Sequence, residues 1–425
     1  RYCSYHSTLH ALPFVAEKYY IKYLICLVLC IKQSRWMFTE TMVIPEQANI
    51  RQGVNRRSAV VAAVCLSFIA VAGFLVLPVF VGAAAVSLEL SERQLGFMAS
   101  GIMAGSALSA VFTLFWIRRV NWRRAGYVAL TMLLLGHLGA MASDNVMLFT
   151  ACQFLASLGG GAAYSLVLTS LSDNRHPDRC FGYSIAAQVS FQVLGMLALP
   201  AVVETMGMNG LLTMFAALAA IGLLLVQFLP QAGIALVAQP LAMSVLRPRA
   251  LAALCGCFLF FFNVGVVWTY IERIGAAAGF EAGVIGGSLA IGVAFGVPGA
   301  LGASWCGNRF GRLLPLTLGA ALTVAALLLL LDDNLGSATY IVSLALYNFA
   351  WNFSLAFQYA AVNAADDSGR SVALAPAFHG SGGAVGPAVA ALFVGVGSFA
   401  AVSVLAGMAT LLSLALFALA LRHRD

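Results

Sequence analysis

Charged side chains are scarce in this chain of 425 residues. Only 9% of the residues are Asp, Glu, Lys or Arg, whereas 61% are hydrophobic, and a soluble domain carries about 25% charged residues. The mean hydropathy is +0.93. A protein in water cannot bury that much apolar surface, so the composition excludes a soluble globular protein.

Several chemical signatures are also missing. The nine cysteines form no CxxC pair, and most lie in apolar stretches, where cysteine is an ordinary small hydrophobe, so neither a metal site nor a disulfide is predicted. No phosphate-binding loop of the Walker type is present, which argues against direct hydrolysis of ATP. We predict no cofactor.

Long apolar runs fill the rest of the chain. Each is close to the roughly 20 residues that a helix needs to cross about 30 Å of hydrocarbon, and none alternates as the strands of a membrane barrel do. We therefore predict an all-α membrane protein with twelve membrane spans. Spans 1 to 6 are expected near 58–86, 92–117, 124–143, 146–171, 181–203 and 208–229, and spans 7 to 12 near 250–272, 282–306, 313–331, 338–364, 371–395 and 398–421.

The spans divide the chain into regions. We expect two bundles of six helices at 56–229 and 250–421, a cytoplasmic linker at 230–249 and a short tail at 422–425. Residues 1–55 read as an N-terminal extension, and the chain begins with Arg1. We predict a natural start at Met37 or Met42, with an interfacial helix as the alternative for the upstream part.

Arginine is concentrated at one end of the predicted spans. This end, here called the Arg-rich side, carries arginines in nearly every loop, whereas the other, the Arg-poor side, has only Arg93 and Arg273 together with several acids. By the positive-inside rule both termini are cytoplasmic. The net charge of +7 thus indicates topology in a bacterial inner membrane and not binding of nucleic acid.

The two halves share landmarks at one spacing. An offset of 190 residues aligns Arg119 with Arg309, and an offset of 191 aligns Gln188 with His379 and Gly195 with Gly386. Two six-helix repeats related by an axis along the membrane normal predict a transporter, with its solute site near the midplane between them.

Two loops carry a recognisable motif. The segment 302–312, GASWCGNRFGR, resembles the pattern G-x-x-x-D-R-x-G-R-R of the major facilitator superfamily, with Asn308 in place of the acid. The first copy, 116–124, keeps only the basic character, because Arg118 stands where the Asp is expected. The resemblance covers about 56–421 and implies gating loops; the alternative is that these arginines only set topology. The candidates are Arg119, Arg123, Arg124, Gly302, Asn308, Arg309, Gly311 and Arg312.

A glycine-rich stretch marks span 11. Residues 380–387, GSGGAVGP, resemble the Gly-x-x-x-Gly-Pro pattern that some exporters of this superfamily carry in their fifth helix. Small residues four apart permit close helix packing, and proline permits a bend. Gly382, Gly386 and Pro387 are therefore candidates for a hinge, with tight packing as the alternative.

Polar side chains inside the spans indicate a candidate solute site. The resemblance implies a cavity lined by spans 1, 4, 7 and 10, with spans 2, 5, 8 and 11 beside it. Span 10 is richest, because Asn348, Asn352 and Tyr359 follow a helical spacing. The alternative is hydrogen bonding between helices. The candidates are Asn263, Trp268, Tyr347, Asn348, Trp351, Asn352, Gln358, Tyr359, Gln188, Gln192 and Gln153.

Ionisable groups are almost absent from the middle of the spans. His379 lies deepest and Glu272 lies at the end of span 7, so both are candidates for proton coupling; the alternatives are a simple hydrogen bond and an ion pair with Arg273. This scarcity favours a neutral, zwitterionic or amphipathic solute.

The expected function is secondary active transport by a monomer in the lipid bilayer. Its partners are a small-molecule solute and, under proton coupling, protons. Export is favoured over uptake on the resemblance alone. The alternatives are an uptake permease for a small metabolite and a membrane-embedded enzyme. An enzyme would need His, Asp, Glu or Cys clustered at one depth, and no such cluster is evident in the sequence.

Overall fold

The computed structural model describes residues 53–143, 145–233, 248–332, 334–366, 371–394 and 399–422. Most of the predicted extension at 1–55, most of the linker at 230–249 and the tail at 423–425 lie outside the described residues. The start at Met37 or Met42 stays a prediction.

All twelve predicted spans coincide with helix, and the all-α fold is confirmed. The helices of the first half are Arg57–Ile69, Ala72–Leu75 and Leu77–Ser87 (span 1), Glu92–Trp116 (span 2), Trp122–Met141 (span 3), Val146–Ser172 (span 4) and Pro177–Leu225 (spans 5 and 6). Those of the second half are Pro248–Ala277 (span 7), Ala282–Ala294 and Gly296–Cys306 (span 8), Leu313–Leu329 (span 9), Ser337–Ala365 (span 10), Ala375–Ala391 (span 11) and Ala400–Leu421 (span 12). Short 3-10 turns occupy Val226–Phe228 and Ser371–Leu374.

Seven of the described helical segments are long and apolar enough to cross a membrane. They cover spans 2, 4, 7, 8, 10 and 12 and the joined spans 5 and 6. Many large apolar side chains on the outside of the bundles are exposed, including Leu135, Leu194, Leu224 and Leu411. Such a surface suits contact with lipid tails.

Local sequence signals explain where several helices begin and turn. Ser91 and Gln94 form a reciprocal capping box at the start of span 2, and the side chain of Asn145 accepts from two backbone N–H groups at the start of span 4. Spans 5 and 6 reverse direction at Gly207, whose φ of 61° favours glycine.

Span 1 is not the continuous helix expected over 58–86. Its backbone leaves helical geometry at Val71 and Val76, and Pro78 begins the next helix. Proline lacks the N–H that would bind the carbonyl four residues earlier, so the carbonyl of Phe74 is left without its helical donor. Span 8 divides at Phe295, three residues before Pro298. The prediction of one continuous helix for each of these two spans is therefore wrong, because the prolines interrupt the helical hydrogen bonds.

The two halves pack their helices in the same pattern. Span 4 packs against spans 2 and 3, and span 10 packs against spans 8 and 9; likewise span 3 packs against the joined spans 5 and 6, and span 9 packs against span 12. This correspondence is the structural form of the repeat that the sequence predicts.

The described contacts between the halves are tightest toward the Arg-poor side. Spans 2 and 11 pack side by side, helix Leu77–Ser87 packs against span 7, and helix Ala282–Ala294 packs against span 5. By contrast, helix Arg57–Ile69 packs within its own half, as does helix Gly296–Cys306. The structure is therefore closed on the Arg-poor side.

Candidate solute site and its gates

His379 is the centre of a polar and aromatic cluster in the second half. Its Nε2 lies 3.2 Å from Oε1 of Gln358, and its Nδ1 lies 3.4 Å from the hydroxyl of Tyr359. Its ring stacks on Phe261 with centroids 4.2 Å apart. Spans 7, 10 and 11 thus meet at a hydrogen-bonded imidazole that is 4% exposed.

An aromatic row leads from this cluster toward the Arg-poor side. Phe261 meets Trp351 edge to face at 6.2 Å, and Trp351 meets Trp268 in the same way at 5.9 Å. The indole N–H of Trp268 donates to the carbonyl of Phe74 at 3.1 Å. That carbonyl lacks its helical donor because of Pro78. The break in span 1 therefore leaves an acceptor that binds Trp268 of the other half.

The first half carries a matching polar chain on spans 1, 4 and 5. Tyr164 donates to Gln188 at 3.4 Å, and the amide nitrogen of Gln188 donates to the hydroxyl of Ser184 at 3.1 Å. Ser184 in turn donates to Ser67 at 2.8 Å. Gln192 lies one turn further along span 5 and is half-buried.

Tyr164 and Tyr359 are the tyrosines of the two clusters. They belong to spans 4 and 10 of different halves, and each is hydrogen-bonded within its own cluster, Tyr164 to Gln188 and Tyr359 to His379. Both side chains are half-buried, as are Gln188 and Trp351. Both halves therefore present partly accessible hydroxyl, amide or aromatic groups on these spans.

Other predicted site residues are placed within one half. Asn348 and Asn352 donate to carbonyls of their own helix at 3.0 Å. Tyr347 donates to Asn263 at 3.1 Å. Gln153 lies 3.4 Å from His137 of span 3, so it does not join the cluster at Tyr164. The contacts of Tyr347 and Gln153 match the alternative interpretation, hydrogen bonding between helices, whereas those of Asn348 and Asn352 stay within span 10.

An ionic latch closes the Arg-poor side. Nε of Arg273 on span 7 donates to Oε1 of Glu92 on span 2 at 3.0 Å, and the hydroxyl of Tyr270 donates to the backbone carbonyl of Glu92 at 3.0 Å. Glu272 lies 3.8 Å from Arg273, and its carboxyl group packs against Gly82 of span 1. The predicted ion pair of Arg273 with Glu272 is thus longer than its ion pair with Glu92, which the sequence did not predict.

Glycine and proline allow the halves to approach on this side. A Cβ on Gly96 would lie 2.0 Å from the hydroxyl of Tyr270. A Cβ on Gly286 would lie 2.4 Å from the carbonyl of Met196, which Pro200 deprives of its helical donor.

The loop after span 2 forms an ion pair at the Arg-rich side. Arg118 donates to both carboxylate oxygens of Asp173 at the end of span 4, at 2.5 and 2.9 Å. Arg123 donates to the carbonyl of Leu229 at the end of span 6, at 2.6 Å. Arg118, at the position where the motif has an acid, thus forms an ion pair with Asp173. Arg119 and Arg124 are exposed.

The matching loop after span 8 turns through two glycines with positive φ, Gly307 at 50° and Gly311 at 66°. Arg309 lies over the ring of Trp305 at 5.5 Å, Asn308 is exposed, and Gly302 and Arg312 are half-buried. Asp366, at the end of span 10, accepts from Ser371 at 2.8 Å.

The glycines of span 11 serve close packing in this conformation. A Cβ on Gly382 would lie 2.0 Å from the carbonyl of Phe258, and one on Gly386 would lie 2.4 Å from the carbonyl of Phe262. Both contacts are with span 7 of the same half. A hinge at Gly382, Gly386 and Pro387 stays a prediction.

The family is decided by sequence. A family model, the Major Facilitator Superfamily, matches residues 62–375 of the chain. The chain belongs to the Major Facilitator Superfamily. Among curated proteins, none matches it significantly in sequence.

Solved structures agree with this superfamily's fold. The nucleoside transporter NupG has a TM-score of 0.70 at 13% identity, covering 86% of this chain and 100% of its own. A D-xylose–proton symporter has a TM-score of 0.68 at 14% identity, covering 84% and 96%. A bacterial homolog of the human lysosomal transporter Spinster, inward-facing and occupied, has a TM-score of 0.64 at 13% identity, covering 86% and 96%. The chain is thus a multi-pass membrane transporter of this superfamily.

Proposed function

We infer that this transporter carries a small neutral or amphipathic organic solute by alternating access. The observation that supports this most directly is a half-buried, hydrogen-bonded tyrosine on each of the equivalent spans 4 and 10, Tyr164 and Tyr359. Gln188 adds an amide beside them, and Phe261 and Trp351 add aromatic surface. Such a lining of apolar walls with a few polar groups suits a small organic ligand.

The charge of the lining supports a neutral cargo. No Asp, Glu, Lys or Arg lies in the middle of any described span. An ionised solute placed there would lose its hydration without gaining a partner of opposite charge, and that loss is expensive. Zwitterionic and amphipathic solutes remain compatible with the aromatic row.

We propose His379 and Glu272 as the groups that carry a coupled proton. His379 contacts Tyr359, and Glu272 lies beside the latch that must open for the opposite conformation. A proton bound at either group would therefore be sensitive to the movement of the halves.

The proposed direction is export across a bacterial inner membrane, by a monomer with both termini in the cytoplasm. The preference for export rests on the resemblance to the superfamily alone, and the Gly-x-x-x-Gly-Pro pattern in span 11 does not decide it. Uptake of a small metabolite is the second candidate, and the likeness to a D-xylose–proton symporter favours it. Flux into right-side-out and inside-out vesicles distinguishes the two.

The cargo is tested by thermal-shift screening of the purified protein, followed by flux in proteoliposomes. A solute at 100 times its dissociation constant stabilises the folded protein by about 2.7 kcal/mol. We expect neutral or amphipathic compounds to raise the melting temperature, and Tyr359→Phe to reduce their flux about tenfold, because it removes one hydrogen bond. The matched control is Tyr183→Phe, since Tyr183 is exposed on span 5. Stabilisation by anions alone would contradict the proposal.

Proton coupling is tested by comparing accumulation with exchange. We expect Glu272→Gln or His379→Ala to abolish solute accumulation driven by a proton gradient while solute exchange continues. Glu204→Gln, at an exposed position near the end of span 5, is the control. Unchanged accumulation in both variants would rule out these two groups.

A further inference from the structure

A small cavity lies inside the second half, between spans 7, 9, 10 and 12. Its volume is about 10 Å³, which is enough for the centre of one water molecule. Phe260 and Phe417 are among its apolar walls. Its four polar side chains are each no more than 3% exposed; they are Ser354, Gln358, Thr410 and Ser413.

Two of these groups can only accept hydrogen bonds from inside the cavity. Thr410 donates its hydroxyl hydrogen to the carbonyl of Ala406 at 2.8 Å, and Ser413 donates its own to the carbonyl of Gly256 at 2.7 Å. A hydroxyl has a single hydrogen, so each oxygen has only lone pairs left for another partner.

The other two groups have hydrogens to donate. Nε2 of Gln358 and Oγ of Ser354 are buried without a hydrogen-bond partner among the described residues. A buried polar group without a partner is costly, and native proteins avoid it. The cavity therefore brings together two donors and two acceptors.

We propose that this cavity binds one structural water molecule, which donates to Thr410 and Ser413 and accepts from Gln358 and Ser354. Water has two hydrogens and two lone pairs, so it satisfies all four groups. The cavity does not suit a metal cation, because no charged side chain lines it.

The water also fixes the orientation of the Gln358 amide. With Nε2 turned toward the water, Oε1 faces Nε2 of His379 and requires a hydrogen there. Nδ1 of His379 then carries a lone pair and accepts the hydroxyl hydrogen of Tyr359. The oxygen of Tyr359 is left as an acceptor toward the space between the halves. This last step rests on the proposed function, and it predicts a solute that donates an N–H or O–H to Tyr359.

Nitrogen NMR of the full-length protein, labelled at histidine, tests the proposal. We expect His379 to carry its hydrogen on Nε2 in the natural protein. In Thr410→Val combined with Ser413→Ala, the water loses both acceptors, so the amide can rotate and a mixture of the two tautomers is expected. Thr410→Ser keeps the hydroxyl and serves as the matched control. A high-resolution structure should show water within hydrogen-bond distance of Nε2 of Gln358.

A hydrogen on Nδ1 of His379 in the natural protein, or no water beside Gln358 at that resolution, overturns the proposal. If the double variant does not fold, the tautomer of His379 is measured in the single variant Ser413→Ala instead. Neither measurement needs a transported solute. A correct tautomer in a protein that carries nothing would therefore contradict the proposed function alone.

Discussion

Three prolines place backbone carbonyls where the helices meet. Each lacks the N–H that would bind the carbonyl four residues earlier, and that carbonyl meets a group of another span instead. Two of the contacts join the halves, and the third joins spans 11 and 7. In order of proline, freed carbonyl and neighbouring group, the three sets are Pro78, Phe74 and the indole of Trp268; Pro200, Met196 and Gly286; and Pro387, Gly383 and Gly265.

The glycines of span 11 give a prediction at this scale. In Gly382→Ala the new methyl group would lie 2.0 Å from the carbonyl of Phe258. Spans 7 and 11 would then have to separate, at a cost of about 1–3 kcal/mol in stability. Gly287→Ala is the control, because nothing lies within 4 Å of its added Cβ. Thermal unfolding in detergent measures both. Equal melting temperatures for the two variants would show that the close packing is unimportant.

Residue types in the candidate site were readable from the sequence, but their partners were not. His379, Gln358 and Tyr359 stood out as polar groups in apolar spans, and they do meet. Phe261 was missed because one phenylalanine in a run of three carries no signal of its own; only the position of span 7 against span 11 turns it toward His379. Glu92 was missed because helix ends that meet across a repeat are far apart in the chain.

At the scale of the elements, hydropathy predicted the positions of the spans but not the breaks within spans 1 and 8. A window of about 19 residues averages over a single proline, so spans 1 and 8 were expected to be continuous. The alternation of loop charge is a different kind of signal, since it depends on the whole set of loops. It predicted that the ends of spans 2 and 4 lie on the same side, and Arg118 meets Asp173 there.

The Arg118–Asp173 pair gives a prediction at this scale. Asp173 is 6% exposed and the contact is bidentate, so it should exceed the roughly 0–1 kcal/mol of an exposed pair. We expect Arg118→Asp and Asp173→Arg each to lower the melting temperature, and the double variant to recover a coupling energy of about 1–2 kcal/mol. Arg119→Asp, at an exposed position, controls for loop charge. Additive effects of the two substitutions would contradict the pairing.

At the scale of the whole molecule, the repeat explains both symmetry and asymmetry. Equivalent helices pack alike within each half, yet the latch of Glu92 and Arg273 lies on one side only. Closure on the Arg-poor side and looser contact on the Arg-rich side correspond to one of the two conformations that alternating access requires. The offset of 190 residues predicted the two halves, but a sequence cannot indicate which conformation a structure shows.

The central claim is that the two halves rock as units about the space between them. Spin-label distances across both sides test it directly: Glu89 with Asn334 on the Arg-poor side, and Ser172 with Asn308 on the Arg-rich side, all four being exposed. Arg273→Ala removes the latch. Arg93→Ala is the control, because Arg93 contacts Phe97 of its own half. The account predicts that Arg273→Ala lengthens the first distance and shortens the second. A lengthening of both distances, or a change in the first alone, would contradict it.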